Sequence, residues 1–241
     1  MVPTYNSYEQ LKTCVLSIKN QSFKNYEILI IDGQSTDDTK QLLQTLKPPF
    51  FWKTEKDEGV YDAMNKGIEQ AQGSWLYFMG SDDQFFETNV LDSVFQKPID
   101  KNIELIIGSI KYDCESKASR YLNKDHGVRK TKWSFNLWVT NSVHHQGVFY
   151  KRSVFNEMRY NLKYKILSDY DVNLKLFRKK KKAKMIDDVI SFCGAEGLSK
   201  NYSWSMYKEE IQLKTTQSFI LLKPVFYVLA MLKYLFKIFQ K

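Results

Sequence analysis

Short apolar runs alternate with amphipathic stretches through the first half of the chain. Residues 27–31 form an apolar run that ends at Asp32, which predicts a buried strand. Residues 60–71 place apolar side chains at helical spacing, and residues 75–79 form another apolar run. This alternation is typical of repeated strand–helix units that build a mostly parallel sheet.

Capping and turn residues refine these predicted boundaries. Ser35 is expected to cap a helix that runs to about residue 46, with Asp38 three residues later as its partner in a capping box. A proline pair follows, and residues 50–52 form the next predicted strand. The first half is therefore expected to be α/β.

Beyond residue 100 the pattern is less regular. Residues 103–110 and 148–150 are strand-like, and residues 170–177 return to helical spacing. Residues 111–141 are polar and aromatic without a clear period.

The tail is strongly apolar from residue 219 to residue 239. Charged residues interrupt it, so no stretch reaches the roughly 18 residues of a spanning helix. Lys233, Lys237 and Lys241 repeat every four residues, which predicts an interfacial helix with a basic stripe on anionic lipid. The alternative is a helix packed on the core or on a partner subunit. The basic run at 178–182 either adds to the lipid attraction or forms a solvated turn.

Composition excludes several classes. A hydrophobic share of 43% and an aromatic share of 15% over 241 residues argue against disorder. Three scattered cysteines suggest neither a disulfide framework nor a thiolate metal site, no signal peptide is expected, and a reducing cytoplasm fits. The net charge of +9 indicates an anionic partner, whether nucleic acid, lipid or a phosphorylated substrate.

Asp82 and Asp83 follow the apolar run at 75–79. Carboxylates at the end of such a strand are hard oxygen ligands at the place where an open α/β sheet binds its ligands. They predict a divalent cation with a diphosphate. The alternative is a solvated turn, because residues 80–83 have turn-forming composition.

Six short motifs follow one another along residues 2–177: Pro3-Thr4-Tyr5-Asn6, residues 21–28 leading into Ile31-Asp32-Gly33-Gln34-Ser35-Thr36-Asp37, residues 57–67, Ser81-Asp82-Asp83, His145-Gln146-Gly147 and Ser168-Asp169-Tyr170-Asp171. In this order they resemble the inverting family 2 glycosyltransferases of the GT-A fold. The resemblance implies an α/β, Rossmann-like, mostly parallel sheet flanked by helices, with a C-terminal helical extension. It also implies a GT-A domain at 1–200, with a nucleotide-sugar half to about 110 and an acceptor half beyond it, and an extension at 201–241.

The resemblance assigns the donor site to eight residues: Pro3, Thr4, Tyr5, Asp32, Asp57, Asp62, Asn65 and Ser81. Asp32 would accept a hydrogen bond from uracil N3, which favours a UDP-sugar; alternatively it is a helix-entry turn residue. Asp62 and Asn65 would share one helix face. The alternative for the acidic residues is a first helical turn, where the macrodipole favours them.

The resemblance also assigns the chemistry. Asp82 would hold Mg²⁺ or Mn²⁺ with Asp83 in support, although Gly80 stands where many members carry a further aspartate. Asp169 would be the general base, and Asp171 is better interpreted as an N-terminal helix charge. The remaining assignments are contacts of the histidine pair and its neighbour with acceptor or diphosphate: His144, His145 and Gln146. Only two residues precede Pro3, so the first strand is expected to be short or the chain to begin downstream of its natural start.

The predicted function is metal-assisted, inverting transfer of a hexosyl or N-acetylhexosaminyl group from UDP to a glycan or lipid-linked acceptor in surface polysaccharide assembly. The expected place is the cytoplasmic face of the cell membrane. The alternative is a catalytically impaired nucleotide-sugar or glycan-binding module. Nucleic-acid binding is disfavoured because the acidic residues fall at strand ends, and a dinucleotide enzyme because no Gly-X-Gly-X-X-Gly follows a strand.

Overall fold

The computed structural model describes residues 1–112, 127–194 and 203–239. The strands are β1 (Val2–Thr4), β2 (Ile28–Asp32), β3 (Phe50–Thr54), β4 (Trp75–Tyr77), β5 (Gln84–Phe85), β6 (Leu105–Tyr112), β7 (Val128–Arg129), β8 (Val148–Lys151) and β9 (Ala183–Cys193). The helices are α1 (Tyr8–Lys19), α2 (Thr39–Thr45), α3 (Val60–Gln70), α4 (Val90–Phe95), α5 (Ser168–Arg178), α6 (Trp204–Gln217) and α7 (Lys223–Phe239). Short 3₁₀ helices lie at Phe135–Trp138, His145–Gly147, Arg152–Phe155 and Ile220–Leu222.

The first sheet is parallel, with β2 between β1 and β3. Its register aligns Thr4 with Asp32 and Asp32 with Thr54, so the carboxyl ends of all three strands lie at one edge. β2 is buried along its whole length. The predicted strands at 27–31 and 50–52 are therefore present within one or two residues, and the first strand is short.

Backbone hydrogen bonds connect β1 to the chain segment of β4. The Met1 amine donates to the Tyr77 carbonyl oxygen at 2.7 Å, and the Met79 N–H donates to the Met1 carbonyl oxygen at 3.0 Å. One residue bonded to two positions spaced by two is the parallel pattern. Residues 80–83 therefore leave β4 at the same edge as the ends of β1, β2 and β3.

The second sheet is mixed, with the order β4-β8-β6-β9-β5 and β7 beside β6. β6 and β9 are parallel, whereas the other pairs are antiparallel. The parallel strand–helix pattern read from the sequence thus holds for the first sheet, and the α/β class is confirmed.

The predicted helices at 60–71 and 170–177 are present as α3 and α5. The predicted start of α2 is wrong. Ser35 does not cap a helix, because its hydroxyl oxygen accepts the Asn6 N–H at 2.8 Å while its N–H and hydroxyl donate to the Asp32 carboxylate. α2 begins four residues later, with Asp38 as its N-cap. The hydroxyl that the capping box requires is already engaged.

The C-terminal helices pack on the main core. Phe226 and Ala230 of α7 are buried, and Tyr234 packs against the same cluster. In the described chain no helix is long and apolar enough to cross a membrane.

The predicted basic stripe does not lie where the interfacial interpretation requires it. Lys233 forms an ion pair with the buried Glu210 of α6, and positions 226, 230, 233 and 237 share one face of the helix. Lys233 and Lys237 are therefore on the inward face, and Lys241 is outside the described residues. The outward face of α7 is apolar instead, and it carries Val225, Val228, Leu232, Leu235, Phe236 and Phe239.

Candidate active site

Three polar side chains stand in register at the ends of the parallel strands. Asp32 is fully buried and accepts hydrogen bonds from Ser35, while the buried hydroxyls of Thr4 and Thr54 on either side have no hydrogen-bond partner. Buried polar groups are normally paired. The two hydroxyls therefore leave hydrogen-bonding capacity at the edge where open α/β sheets bind ligands.

Asp57 lies against the turn that follows Asp32. A Cβ at Gly33 would lie 2.6 Å from the Asp57 Oδ2 atom, so the absence of a side chain lets this carboxylate approach the backbone. Asp57 Oδ1 accepts the Gly59 N–H at 2.9 Å. Asp62, in the first turn of α3, accepts the Glu58 N–H at 3.1 Å. The structure thus brings Asp57 beside the end of β2.

The two carboxylates after β4 have different environments. Asp83 is buried and accepts the N–H groups of Gly80 at 2.8 Å and Gly194 at 3.2 Å, whereas Asp82 is exposed. Burial raises the pKa of Asp83, and the charge of Asp82 raises it further, against the hydrogen bond from Gly80. Asp83 therefore fixes the turn, and Asp82 remains open to a ligand.

Gly80, the departure from the family pattern, has a steric explanation. A Cβ at this position would lie 2.8 Å from oxygens of both Asp82 and Asp83. A Cβ at Gly194 would lie 2.4 Å from Asp82 Oδ2. The absence of a side chain at Gly80 and at Gly194 therefore leaves the space that the Asp82 carboxylate occupies. Among the described residues, no group of three or more His, Cys, Asp or Glu side chains could hold a metal by itself.

Asp169 stands at the start of α5 and is only 8% exposed. It accepts the Tyr61 hydroxyl at 2.8 Å, and His145 Nδ1 lies 3.4 Å from its other oxygen. Burial acts to raise the pKa of Asp169, but the hydrogen bond and charge of His145 and the hydroxyl of Tyr61 outweigh it and hold the pKa below its usual value. The carboxylate is thus kept ionised in a buried position.

His145 connects the two acidic groups. A positive charge on His145 also acts to lower the pKa of Asp83. The carbonyl oxygen of the neighbouring Gln146 accepts the Tyr77 hydroxyl at 2.6 Å and the Ser191 hydroxyl at 2.8 Å. The 3₁₀ turn that carries His145 is thereby fixed against β4 and β9. Asp83, His145 and Asp169 therefore belong to one cleft.

The other predicted site residues lie nearby, but they differ in whether their side chains can contact a ligand. Pro3 is in β1, Tyr5 is exposed just beyond it, and Ser81 is in the turn after β4. Both ends of the Asn65 amide bond to the backbone of Tyr160 at 2.9 Å, so this side chain holds the segment that leads to α5.

Asp171 is buried within α5. It accepts Gln217 of α6 at 2.7 Å and Lys175 at 2.6 Å, and it is not directed to the cleft. His144 packs edge-on against Tyr112, with ring centroids 6.0 Å apart. The preference for Asp169 over Asp171 in the sequence interpretation is consistent with these positions.

Two groups around the candidate base were not predicted. Tyr61 donates to Asp169 and lies 2.7 Å from the Ile166 carbonyl oxygen. Glu209 of α6 accepts the N–H groups of residues 165, 166 and 167 at 2.8 to 3.1 Å, immediately before Asp169. Tyr61 lies inside the motif at 57–67, which could have indicated it, whereas no local pattern indicates Glu209.

The comparison with protein families decides the family. The model of Glycosyl transferase family 2 matches residues 1–182. The chain belongs to this family. Its predicted membership and its GT-A type of fold are both confirmed.

Curated relatives of this family 2 glycosyltransferase act in glycan or lipid-linked biosynthesis. A PGL/p-HBAD biosynthesis glycosyltransferase of Mycobacterium bovis is 31% identical over 189 residues, which cover 73% of this chain and 68% of the relative. A GalNAc(5)-diNAcBac-PP-undecaprenol beta-1,3-glucosyltransferase of Campylobacter jejuni is 29% identical over 171 residues, 67% of this chain and 53% of the relative.

Solved structures agree on the fold. TarS of S. aureus in complex with UDP-GlcNAc superposes with a TM-score of 0.69 at 19% identity, over 90% of this chain and 64% of TarS. The mannosyltransferase PcManGT of Pyrobaculum calidifontis, in complex with GDP-Man and Mn²⁺, gives 0.66 at 18% identity, over 95% of this chain and 67% of that one.

Proposed function

We propose that this family 2 glycosyltransferase moves a sugar from a UDP-linked donor to a glycan or lipid-linked acceptor with inversion at the anomeric carbon. The observation that carries the proposal is the buried, ionised Asp169, held by Tyr61 and His145 in the same cleft as the Asp82 turn. A buried carboxylate kept ionised next to a diphosphate site suits a general base.

The nucleotide would lie over the ends of β1 and β2. Thr4 and Asp32 offer an unpaired hydroxyl and a carboxylate with acceptor capacity beyond its bonds to Ser35. Uracil N3–H is a donor that a carboxylate can accept. TarS was solved with UDP-GlcNAc and PcManGT with GDP-Man, so UDP and GDP sugars are the donors to compare.

The residues present fit a divalent cation that is shared with the donor. Asp82 provides one open, hard oxygen ligand, and the diphosphate would supply others, which suits Mg²⁺ or Mn²⁺. When bound, the cation would stabilise charge on the leaving diphosphate. Asp83 would hold the turn.

The reaction follows from the position of Asp169. The acceptor hydroxyl attacks the anomeric carbon as its proton passes to an Asp169 oxygen. A new carbon–oxygen bond forms while the bond to the diphosphate breaks, so the nucleoside diphosphate leaves with the electron pair. A single displacement inverts the anomeric centre.

The acceptor side and the cellular place are part of the same proposal. The undecaprenol-linked substrate in the name of the C. jejuni relative supports a lipid-linked acceptor. The outward apolar face of α7 supports a peripheral contact with the inner face of the cell membrane. We also propose that the GT-A domain ends at about residue 200, that its nucleotide-sugar half and its acceptor half meet near residue 110, and that the C-terminal extension follows.

The test compares binding with turnover. Thermal stabilisation by UDP and GDP sugars, with and without Mn²⁺, identifies the donor, because a ligand that binds only the native state raises its apparent stability. Asp169→Asn is expected to keep donor binding and to lose at least about 100-fold in turnover. Asp187→Asn, an exposed carboxylate of β9, serves as the matched control.

Equal turnover by the Asp169→Asn variant and the wild type would remove the assigned base. Donor binding without turnover by the wild type, across a panel of acceptors, would favour the alternative of a nucleotide-sugar-binding module. Asp82→Ala is expected to abolish the effect of Mn²⁺ on donor binding.

A further inference from the structure

An open groove lies on the surface at the C-terminal end of α5, outside the cleft that holds Asp169. It has a volume of about 660 Å³, and the lining residues used below are Trp133, Phe135, Trp138, Arg178, Lys180 and Lys182. We call it the aromatic–basic groove. Among the described residues, none of the side chains placed in the catalytic cleft lines this groove.

The groove combines aromatic surface with positive charge. Phe135 is 72% exposed, and Trp133 packs against Phe177 of α5 with ring centroids 5.5 Å apart. Arg178, Lys180 and Lys182 are exposed, and no acidic side chain lines the groove among the described residues. Its chemistry therefore fits an anionic group attached to an apolar body.

The backbone supports a role for Lys180. α5 ends in a Schellman motif, in which the Lys180 N–H bonds to Phe177 and the Lys181 N–H bonds to Leu176. Lys180 has a φ of +53°, a conformation in which glycine is the usual residue. A lysine therefore stands where folding alone would favour glycine.

An exposed apolar ridge adjoins the groove. Arg178 donates to Gln217 at 2.9 Å, and two residues later the chain exposes Phe219 at 77% and Leu221 at 85%. On the other side Trp138 stacks on Phe226 of α7, with centroids 6.3 Å apart. The ridge and the groove are thus contiguous, and the inward face of α7 packs beside the groove.

The distribution of charge and apolar surface indicates which ligand the aromatic–basic groove binds. Lys233 and Lys237 of α7 face inward, and Lys223 is the one exposed lysine among its described residues, so α7 itself supplies little of the charge that an apolar helix needs beside anionic lipid. The groove supplies it instead, and residues 211–241 contain no Asp or Glu. We propose that the aromatic–basic groove binds the phosphate headgroup of an anionic lipid while the ridge and α7 insert into the same leaflet.

This inference rests on the membrane contact in the proposed function and assigns it a site. Asp169 and Arg178 are nine residues apart on α5, so the candidate base would stand about 14 Å along the helix from the headgroup. An acceptor carried by a lipid in the same leaflet would reach the cleft from that side.

The test is binding of the purified chain to vesicles of phosphatidylcholine, with and without added phosphatidylglycerol, by co-sedimentation. The groove variant is Arg178→Gln, Lys180→Gln and Lys182→Gln combined. Each basic residue near an anionic surface contributes roughly fivefold, so the groove variant is expected to lose about 100-fold of its affinity for the anionic vesicles. Its binding to neutral vesicles should not change.

A matched control removes the same charge elsewhere. Lys12→Gln, Lys40→Gln and Lys47→Gln combined changes three exposed lysines of the nucleotide half. This control should retain most of the affinity. An equal loss in both variants would mean that net charge alone attracts the protein, and wild-type binding by the groove variant would equally overturn the proposal.

Two further measurements test the role of Lys180 and the source of the bound phosphate. Lys180→Gly is sterically favoured, so it should raise the melting temperature while it weakens anionic-vesicle binding about fivefold. Soluble glycerol phosphate should not displace the protein from vesicles; displacement would identify a site for free phosphate and overturn the lipid assignment. UDP binding, measured for every variant, shows whether the donor site is intact, so failure of the lipid site is distinguishable from failure of the proposed function.

Discussion

Replacing Glu209 by alanine is expected to destabilise the segment that carries the candidate base. The Glu209 carboxylate accepts three consecutive backbone N–H groups, at residues 165, 166 and 167. The first is exposed to water, whereas the other two are partly buried. Two partly buried hydrogen bonds to a charged group, at about 1.5 kcal/mol each, give a loss of about 3 kcal/mol.

That loss converts to a shift in melting temperature. An unfolding entropy of about 2.1 cal/mol/K per residue gives roughly 0.5 kcal/mol/K for a chain of this length, so about 3 kcal/mol corresponds to about 6 °C. Glu209→Gln offers one carbonyl oxygen in place of two carboxylate oxygens, and it should lose about half as much. Thermal unfolding followed by circular dichroism measures both variants.

Amide hydrogen exchange tests the location of the effect. Protection of the amides of residues 165–167 should fall in Glu209→Ala. Without their bonds to the carboxylate, local opening of this segment costs less free energy. Glu157→Ala removes a glutamate whose side chain is 86% exposed, so it should stay within about 0.5 kcal/mol of the wild type. A Glu209→Ala protein with unchanged exchange at 165–167 and a shift of about 1 °C or less would refute the reasoning.

Three further predictions concern the titrating groups and the turn after β4. Burial lowers the pKa of Lys214 to about 8 from 10.5, so between these values the unfolded state binds more protons and stability should rise with pH; Lys214→Met should remove this slope in denaturant titrations. The pKa of Asp169 is held below its usual 3.8, so its ionisation is lost only as pH falls below that value; Tyr61→Phe should raise this pKa, measurable by carboxyl NMR titration. Gly194→Ala would place a Cβ 2.4 Å from the Asp82 carboxylate, so it should weaken Mn²⁺-dependent donor binding more than donor binding without metal.

The sequence predicted elements whose local pattern agrees with their burial. β2 is a continuous apolar run that is buried along its length, and α3 buries residues at helical spacing. β9 could not be read this way, since Lys184, Asp187 and Asp188 interrupt its apolar pattern. Its pairing partners lie far away in sequence, in β6 and β5. The prediction for the start of α2 failed for a related reason, because the Ser35 hydroxyl oxygen accepts the N–H of Asn6, 29 residues away.

The candidate site shows the same division. Family motifs indicated Asp82 and Asp169, but the motif could not tell that Asp82 is open while Asp83 is buried. That difference depends on Gly194, more than a hundred residues away. The contact of Glu209 with residues 165–167 depends on how α6 packs against α5, and packing between distant helices leaves no periodic signal in either segment.

The segment before α5 is held by parts of the chain that are far apart. Asn65 of α3 bonds to Tyr160, Ser168 bonds to Asn161, and Glu209 of α6 bonds to residues 165–167. A chimera that exchanged only the acceptor half with a relative would therefore separate this segment from its contacts with α3 and with Glu209. Recombination between relatives should succeed only when α3, the segment and α6 come from the same parent.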